Sequence, residues 1–272
     1  MALIKSVSRF IASVPIYMWL LFILLCASFV LNPLLGRDPN RTDTSEVYTP
    51  PSLAHPFGTD SSGRDVFARV IAAVKLDMGI AVGSGILAFL VGTLLGAVAG
   101  YIGSLPDTIV MRLFDVWQSI PGLLLGLLVL SVAGKGIAPL VGVIALINIP
   151  VYGRMTRAEL AVQRNAAVVD SARLSGVPEW RILLVYLLPQ GFSSALAYFP
   201  VQAGFAISVA AGFGFIGLGV SPPTAEWGAM IAAGISDLLF LNVWWTTLFP
   251  GAFLALTILL LYRMGDWLMR HD

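Results

Sequence analysis

Six stretches of this chain carry no charged residue: Phe10 to Gly36, Met78 to Pro106, Val116 to Gly134, Gly136 to Gly153, Ile182 to Ala225 and Leu238 to Tyr262. A helix needs about 20 apolar residues to cross a hydrocarbon core of about 30 Å. Three of the stretches fit one crossing comfortably and two lie near the minimum. The longest contains Pro189, Pro200, Pro222 and Pro223, which confine its helix to an inner part. The pattern predicts an all-α membrane protein with six spans, near residues 14–34, 79–102, 113–133, 136–152, 192–218 and 243–263. A closed barrel is the other way to satisfy every backbone donor and acceptor in lipid, but barrel strands alternate apolar with polar residues, and these runs do not. Composition agrees, with 58% hydrophobic and 11% charged residues, against roughly 25% charged in an ordinary soluble domain.

Lys5 and Arg9 precede the first apolar run, as in a secretory signal. The run is too long for a signal core and no convincing small-residue cleavage site follows, so it reads as a retained anchor. Basic residues in short loops favour the cytoplasmic side. With six spans and an inner amino terminus, the inner segments hold Lys5, Arg9, Arg112, Arg154, Arg157, Arg164, Arg173, Arg181, Arg263 and Arg270. The outer segments hold Arg37, Arg41, Arg64, Arg69, Lys75 and Lys135. Ten against six places both termini in the cytoplasm. The expected layout is a cytoplasmic segment 1–13, a first span 14–34, a periplasmic loop 35–78, a five-helix core 79–263 enclosing a cytoplasmic loop 154–190, and a cytoplasmic end 264–272.

The balance of 16 basic to 15 acidic residues argues against a nucleic-acid surface. Cys26 is the only cysteine, which rules out an intrachain disulfide. His55 and His271 lie outside the spans, and no His/Cys/carboxylate cluster points to a metal site. The absence of Gly-x4-Gly-Lys-Ser/Thr means that any ATP is hydrolysed by another chain. Uncharged span centres disfavour an ion-gradient-driven secondary transporter, the alternative function, which usually binds its coupling ion at charged groups near mid-membrane. An intramembrane enzyme would need a base or a carboxylate pair inside a span, and none is apparent.

Three patterns invite local readings. Ala88, Gly92, Gly96 and Gly100 line one face of the second span with small side chains, a close-packing device within the chain or toward a neighbour. Gly212-Phe213-Gly214-Phe215-Ile216-Gly217 has the letters of a dinucleotide fingerprint without the strand before it, so helix packing or a break is the better reading. Trp244, Trp245 and Trp267 fall near span ends, where interfacial anchoring accounts for them.

The loop from Arg154 to Pro189 is the most diagnostic piece. Up to Leu174 it has no Gly or Pro and suits a helix. Gly176 tolerates the positive φ that ends a helix, and Pro178 fits the first turn of a new one. The expected result is a helix, a tight turn and a short second helix ending near Pro189. Asp170-Ser171-Ala172, three residues, Gly176, nine residues and Tyr186-Leu187-Leu188-Pro189 resemble the EAA loop of bacterial ABC importer permeases. That loop has Glu-Ala-Ala, three residues, Gly, nine residues and Ile-x-Leu-Pro, so Asp170, Ser171 and Tyr186 depart from it. His55-Pro56-Phe57-Gly58-Thr59-Asp60-Ser61-Ser62-Gly63-Arg64-Asp65, with Ser221-Pro222-Pro223 and Glu226-Trp227-Gly228-Ala229-Met230, is similar to the C-type permease of dipeptide, oligopeptide and nickel importers.

The resemblance implies the type I importer permease fold in the bacterial inner membrane. It implies a second permease, two ATP-binding subunits that carry ATP and Mg, and a periplasmic solute-binding protein. It makes Asp170, Ser171, Ala172, Arg173, Gly176, Val177, Pro178, Leu188 and Pro189 the loop that couples to the ATPase. Residues that touch the transported solute, a peptide or a related small solute such as nickel, are not assigned by it.

Overall fold

A computed structural model describes residues 15–271; the segment 1–13, with Lys5 and Arg9, lies outside the described residues. Among the described residues the chain is helical, with a single isolated bridge between Thr59 and Asp65. The helices are α1 (Ile16–Leu34), α2 (Val66–Ile102), α3 (Ser104–Gln118), α4 (Gly122–Ala133), α5 (Ile137–Gln163), α6 (Ala167–Leu174), α7 (Leu188–Ala197), α8 (Phe199–Phe215), α9 (Trp227–Leu241) and α10 (Trp245–His271).

Four of these, α1, α2, α5 and α10, are each long and apolar enough to cross a bilayer. Two bent pairs pass the same test together: α3 with α4, turned by 84°, and Glu179–Ala197 with α8, turned by 49°. The expected spans 113–133 and 192–218 are therefore broken. Pro121 lies in the first break as the N-cap of α4, Pro200 lies in the first turn of α8 after the second, and a proline's missing N–H and ring oppose continuation of the preceding turn. Three helices run longer than expected, among them α10, which continues past residue 263 to His271. α2 begins at Val66, where Asp65 accepts from the Ala68 N–H at 2.9 Å, so the amphipathic stretch and the second span form one helix of 37 residues. α5 continues past residue 152 to Gln163. α9 is an element that counting uncharged stretches does not reveal, because Glu226 caps its start and Asp237 interrupts it.

The described residues divide into two compact units, 15–79 with 211–264 and 80–210 with 265–271. In the first, the segment after α1 folds on charged and aromatic contacts. Asp65 accepts from Arg37 and faces His55 Nδ1 at 3.0 Å, while His55 Nε2 lies 2.9 Å from Glu46. Phe57 stacks on Phe249 with ring centroids 4.0 Å apart. Trp245 is buried and donates from its indole N–H to the Thr59 carbonyl at 3.0 Å, so it is a core residue rather than an interfacial anchor. Gly58, at φ +70°, sits where a Cβ would be 2.7 Å from the Thr49 carbonyl oxygen, which explains a glycine at this turn.

Arg69 is 5% exposed and donates to the carbonyls of Pro39 (3.0 Å) and Pro223 (3.1 Å). It joins two loops through a buried guanidinium whose own donors would otherwise lack partners. Arg69→Ala is expected to cost about 1–3 kcal/mol, read as a lower unfolding temperature of the purified protein and faster proteolysis between residues 36 and 60. Wild-type resistance in that variant would show that other contacts hold these loops.

In the second unit, α2 and α5 approach through the small-residue face. A Cβ on Gly92 would lie 2.5 Å from the Ile149 carbonyl oxygen, and one on Gly100 would lie 2.6 Å from that of Arg157; one on Gly96 would overlap the backbone of Gly153. Ala88 packs with Phe89, Phe114, Ala145, Ile149, Tyr152 and Ala195. Of the two readings of this stripe, the contact within the chain is the one observed. Arg157 binds Asp107 through two N–H groups, at 2.8 and 2.5 Å, and Arg154 reaches Asp115 at 2.9 Å, pairing α5 with α3.

Candidate functional site

The loop after α5 is an elbow whose geometry follows from its backbone chemistry. α5 stops at Gln163 and three residues turn the chain into α6, so the single helix expected up to Leu174 is two. At the end of α6, Gly176 has φ +75°. Its N–H bonds the Arg173 carbonyl at 2.9 Å, and the Val177 N–H bonds the Ala172 carbonyl at 3.0 Å. This 6→1 and 5→2 pair is a Schellman cap, which satisfies carbonyls the helix end leaves open. Val177 packs beside Ala172 in the adjoining core, supplying the apolar contact that accompanies such a cap.

Pro178 caps the second arm, and its carbonyl receives the N–H groups of Arg181 (2.9 Å) and Ile182 (3.1 Å). One short turn, Glu179–Arg181, leads into a π-helical segment, Ile182–Leu187. The second arm does not end near Pro189 as expected. Pro189 lies in the first turn of α7, where its missing N–H costs nothing because that donor has no partner within the helix.

One side of the elbow is core. Val169, Ala172, Ile182 and Leu187 are buried against Ala97 and Leu160, with Val177 and Leu188 packed beside them. Across the angle, Arg173 Nε lies 3.0 Å from Glu179 Oε1, and Asp170 is 3.4 Å away on the other side of the same guanidinium. The Tyr101 hydroxyl, near the end of α2, donates to Glu179. These groups are largely exposed, so each ion pair contributes about 0.2–1 kcal/mol. Of the two ion pairs, Arg173–Glu179 bridges the arms, whereas Asp170 and Arg173 share α6.

Away from this core, several apolar side chains of the elbow are exposed. Leu174 is 91% exposed and Trp180 65%, one from each arm, with Val168 also exposed. The nine loop residues singled out from sequence thus fall into two groups. Ala172, Gly176, Val177, Pro178, Leu188 and Pro189 shape the elbow, whereas Asp170, Ser171 and Arg173 lie at its surface. Leu174 and Trp180 escaped the sequence reading. An isolated leucine at the end of a polar helix and a tryptophan between Glu179 and Arg181 were the available signal. Ser171 returns its hydroxyl to the Ala167 carbonyl at 2.8 Å.

Other motif residues are occupied in the fold. Gly214 has no room for a Cβ because the carboxylate of Glu226 occupies that space, and Gly228 meets the backbone of Ala211. Of the fingerprint-like glycines, Gly214 is a packing position, Gly217 takes φ +76° just past the end of α8, and no atom lies within 4 Å of a Cβ at Gly212.

Residues 92–271 match the family model described as binding-protein-dependent transport system inner membrane component. The chain is 34% identical over 247 residues to the glutathione transport system permease protein GsiD of Pectobacterium atrosepticum, covering 90% of this chain and 81% of that protein. It is 34% identical to the probable D,D-dipeptide transport system permease protein DdpC of Escherichia coli, covering 90% and 82% of the two chains. It is 33% identical to the di/tripeptide transport system permease protein DppC of Pseudomonas aeruginosa, covering 92% and 84%. Its fold is similar to a chain of the MetNI methionine ABC transporter in an inward-facing conformation, with a TM-score of 0.60 and 16% identity, covering 75% of this chain and 95% of that one. With a family model over most of its length and relatives aligned along nearly all of it, the chain belongs to the inner-membrane permease components of binding-protein-dependent ABC importers.

Proposed function

We propose that this chain forms half of the transmembrane pathway of an ATP-driven importer for peptides or a related small solute, nickel included. The observation that carries the reading is the elbow, rigid on its inner side and bearing uncovered Leu174 and Trp180 on its outer side. A surface built in this way suits a groove on an ATP-hydrolysing partner. The names of the relatives, which transport glutathione and small peptides, support the solute class.

In this reading the chain crosses the bacterial inner membrane six times, with each bent pair counted as one span and both termini in the cytoplasm. Segment 35–78 faces the periplasm, where a solute-binding protein delivers cargo, and 154–190 faces two ATP-binding subunits that hold ATP and Mg. A second permease completes the pathway. This chain breaks no covalent bond. ATP and the loaded binding protein drive alternating access, and moving such an equilibrium from 1:99 to 99:1 takes about 5.5 kcal/mol of differential binding. The elbow must transmit that energy without bending, and Asp170, Ser171, Arg173, Gly176, Val177 and Pro178 give it the surface and stiffness to do so. Leu188 and Pro189 join it to the next helix.

Purification of the chain from its native membrane in mild detergent tests the reading. Recovery with a second permease and P-loop ATPases, and transport that needs ATP, is expected. An intact, transport-competent chain with no ATP dependence would overturn it in favour of a gradient-driven carrier. Gly176→Val tests the elbow itself. No atom lies within 4 Å of a Cβ at Gly176, so the effect is conformational. A side chain in the left-handed region costs about 1–2 kcal/mol, and Val tolerates it poorly because it is β-branched. Membrane insertion is expected to persist while transport falls, and wild-type transport by a fully assembled variant would remove the elbow from the mechanism.

A further inference from the structure

Two acidic residues converge on the start of α9 within the unit formed by 15–79 and 211–264. Glu226 is 0% exposed and Asp77 is 1% exposed. Glu226 accepts from the N–H groups of Gly228 (2.7 Å) and Ala229 (2.8 Å), and Asp77 Oδ2 accepts from that of Trp227 at 3.2 Å. The first three N–H groups of one helix are therefore divided between two carboxyls. A helix N-terminus offers the equivalent of about half a positive charge, enough to offset one buried carboxylate in part, but not two.

Among the described residues, no side-chain cation completes the balance. Arg69 donates to Pro39 and Pro223, and Arg64 pairs with Asp60 at 2.8 Å. Lys75 sits over the Phe29 ring, 4.7 Å from its centroid. Asp237, the other acid on α9, accepts from the Tyr48 hydroxyl at 2.7 Å. The stretches 211–215 and 245–262 contain no charged residue. The wall beside Glu226 is the backbone at Gly214. Finally, Asp77 Oδ1 is buried without a hydrogen-bond partner, although its sister oxygen is aimed at the helix start. A buried charged oxygen in that position is costly. A proton held by one of the two carboxyls removes one charge from the site.

We propose that Asp77 and Glu226 form a proton-binding site in which the two carboxyls hold one proton, leaving a single negative charge at the N-terminus of α9. Loss of this proton sets two like charges in a dry site and loosens the start of α9 from α2. Burial raises Glu226 to about 6, and ionising the second member of a coupled acid pair requires a higher pH still. The sign follows from linkage. The folded protein binds this proton more tightly than the unfolded chain, so the stabilisation is complete below the ordinary carboxylate range. It is lost as pH rises through the titration of the pair.

The test uses the purified full chain with the subunits that accompany it, and needs neither ATP nor solute, so its outcome is separate from that of the importer reading. The unfolding temperature of the wild type is expected to fall as pH rises above about 6. Asp77→Asn keeps an acceptor for the Trp227 N–H and replaces that proton by a permanent amide donor. It is expected to flatten that slope and to unfold roughly 3–6 °C above the wild type at the alkaline end. An unchanged slope in the variant, or a wild type with no slope, overturns the proposal. If the variant fails to assemble, infrared spectroscopy of the wild type decides. A protonated-carboxyl stretch at neutral pH that shifts on deuteration supports the site, and its absence overturns it.

Discussion

Replacing Gly96 by valine is expected to abolish recovery of folded protein from the membrane. The space a Cβ would need at Gly96 is filled by the backbone of Gly153, which no rotamer change can clear. Relief requires α2 and α5 to separate, which also opens the contacts of Gly92 with Ile149 and Tyr152 and of Gly100 with Arg157 and Leu160. Helices in lipid associate largely through such close packing, because apolar surface gains little by leaving lipid for protein. Overpacking costs about 1–3 kcal/mol where side chains can yield, and here backbone opposes backbone, so at least the upper end of that range applies. Gly142→Ala, on α5 with no atom within 4 Å of its Cβ, is the control and is expected to behave as wild type or better, since alanine is favoured over glycine in a helix by about 1 kcal/mol. Size-exclusion profiles and unfolding temperatures in detergent compare the two. A monodisperse Gly96→Val protein of wild-type stability would refute the α2–α5 contact.

The second large effect is expected at the outer side of the elbow. Trp180→Asp and Leu174→Asp place charge where the proposed ATPase contact needs apolar surface, without disturbing the core beneath. Truncating a central tryptophan in an interface commonly costs about 2–4 kcal/mol, which corresponds to roughly 30- to 1000-fold weaker association. Both variants should be recovered in wild-type amounts, with the ATP-binding subunits lost on purification and transport reduced by a similar factor. Ile182→Asp differs in kind: Ile182 is 0% exposed, and that substitution should lower the amount of chain itself. Normal subunit recovery and transport with both outer residues changed would move the ATPase contact elsewhere.

Some of this architecture was legible because the responsible interactions are short in sequence. Gly176 and Pro178 specify a Schellman cap and the start of the next arm through their own backbone preferences, two residues apart. The apolar runs gave the approximate positions of helices for the same reason. The breaks at Pro121 and Pro200 were written equally locally, but length and hydropathy count residues without asking whether the axis is straight. α9 was hidden by Glu226 at its start and Asp237 within it, which look like loop charges until burial and partners are known. The union of Asp77 with Glu226 could not be read at all, since the Trp227 N–H that meets Asp77 lies 150 residues away along the chain. Leu174 and Trp180 were missed because a pattern of apolar residues does not say which of them remain uncovered.

The corner between α3 and α4 bears on what can lie against this protein. At 1.5 Å per residue, α4's 12 residues reach about 18 Å and α3's 15 about 22 Å, so neither alone traverses a hydrocarbon layer of about 30 Å. If the pair makes one crossing, the 84° turn at Ser119, Ile120 and Pro121 falls inside that layer. The turn interrupts the helical hydrogen-bond ladder, and lipid tails have no donors with which to complete it. Part of the ladder is repaired within the chain, where the Ser119 hydroxyl donates to the Val116 carbonyl at 2.7 Å; what stays open must face protein or water, so this corner selects its neighbour by chemistry and excludes a lipid tail.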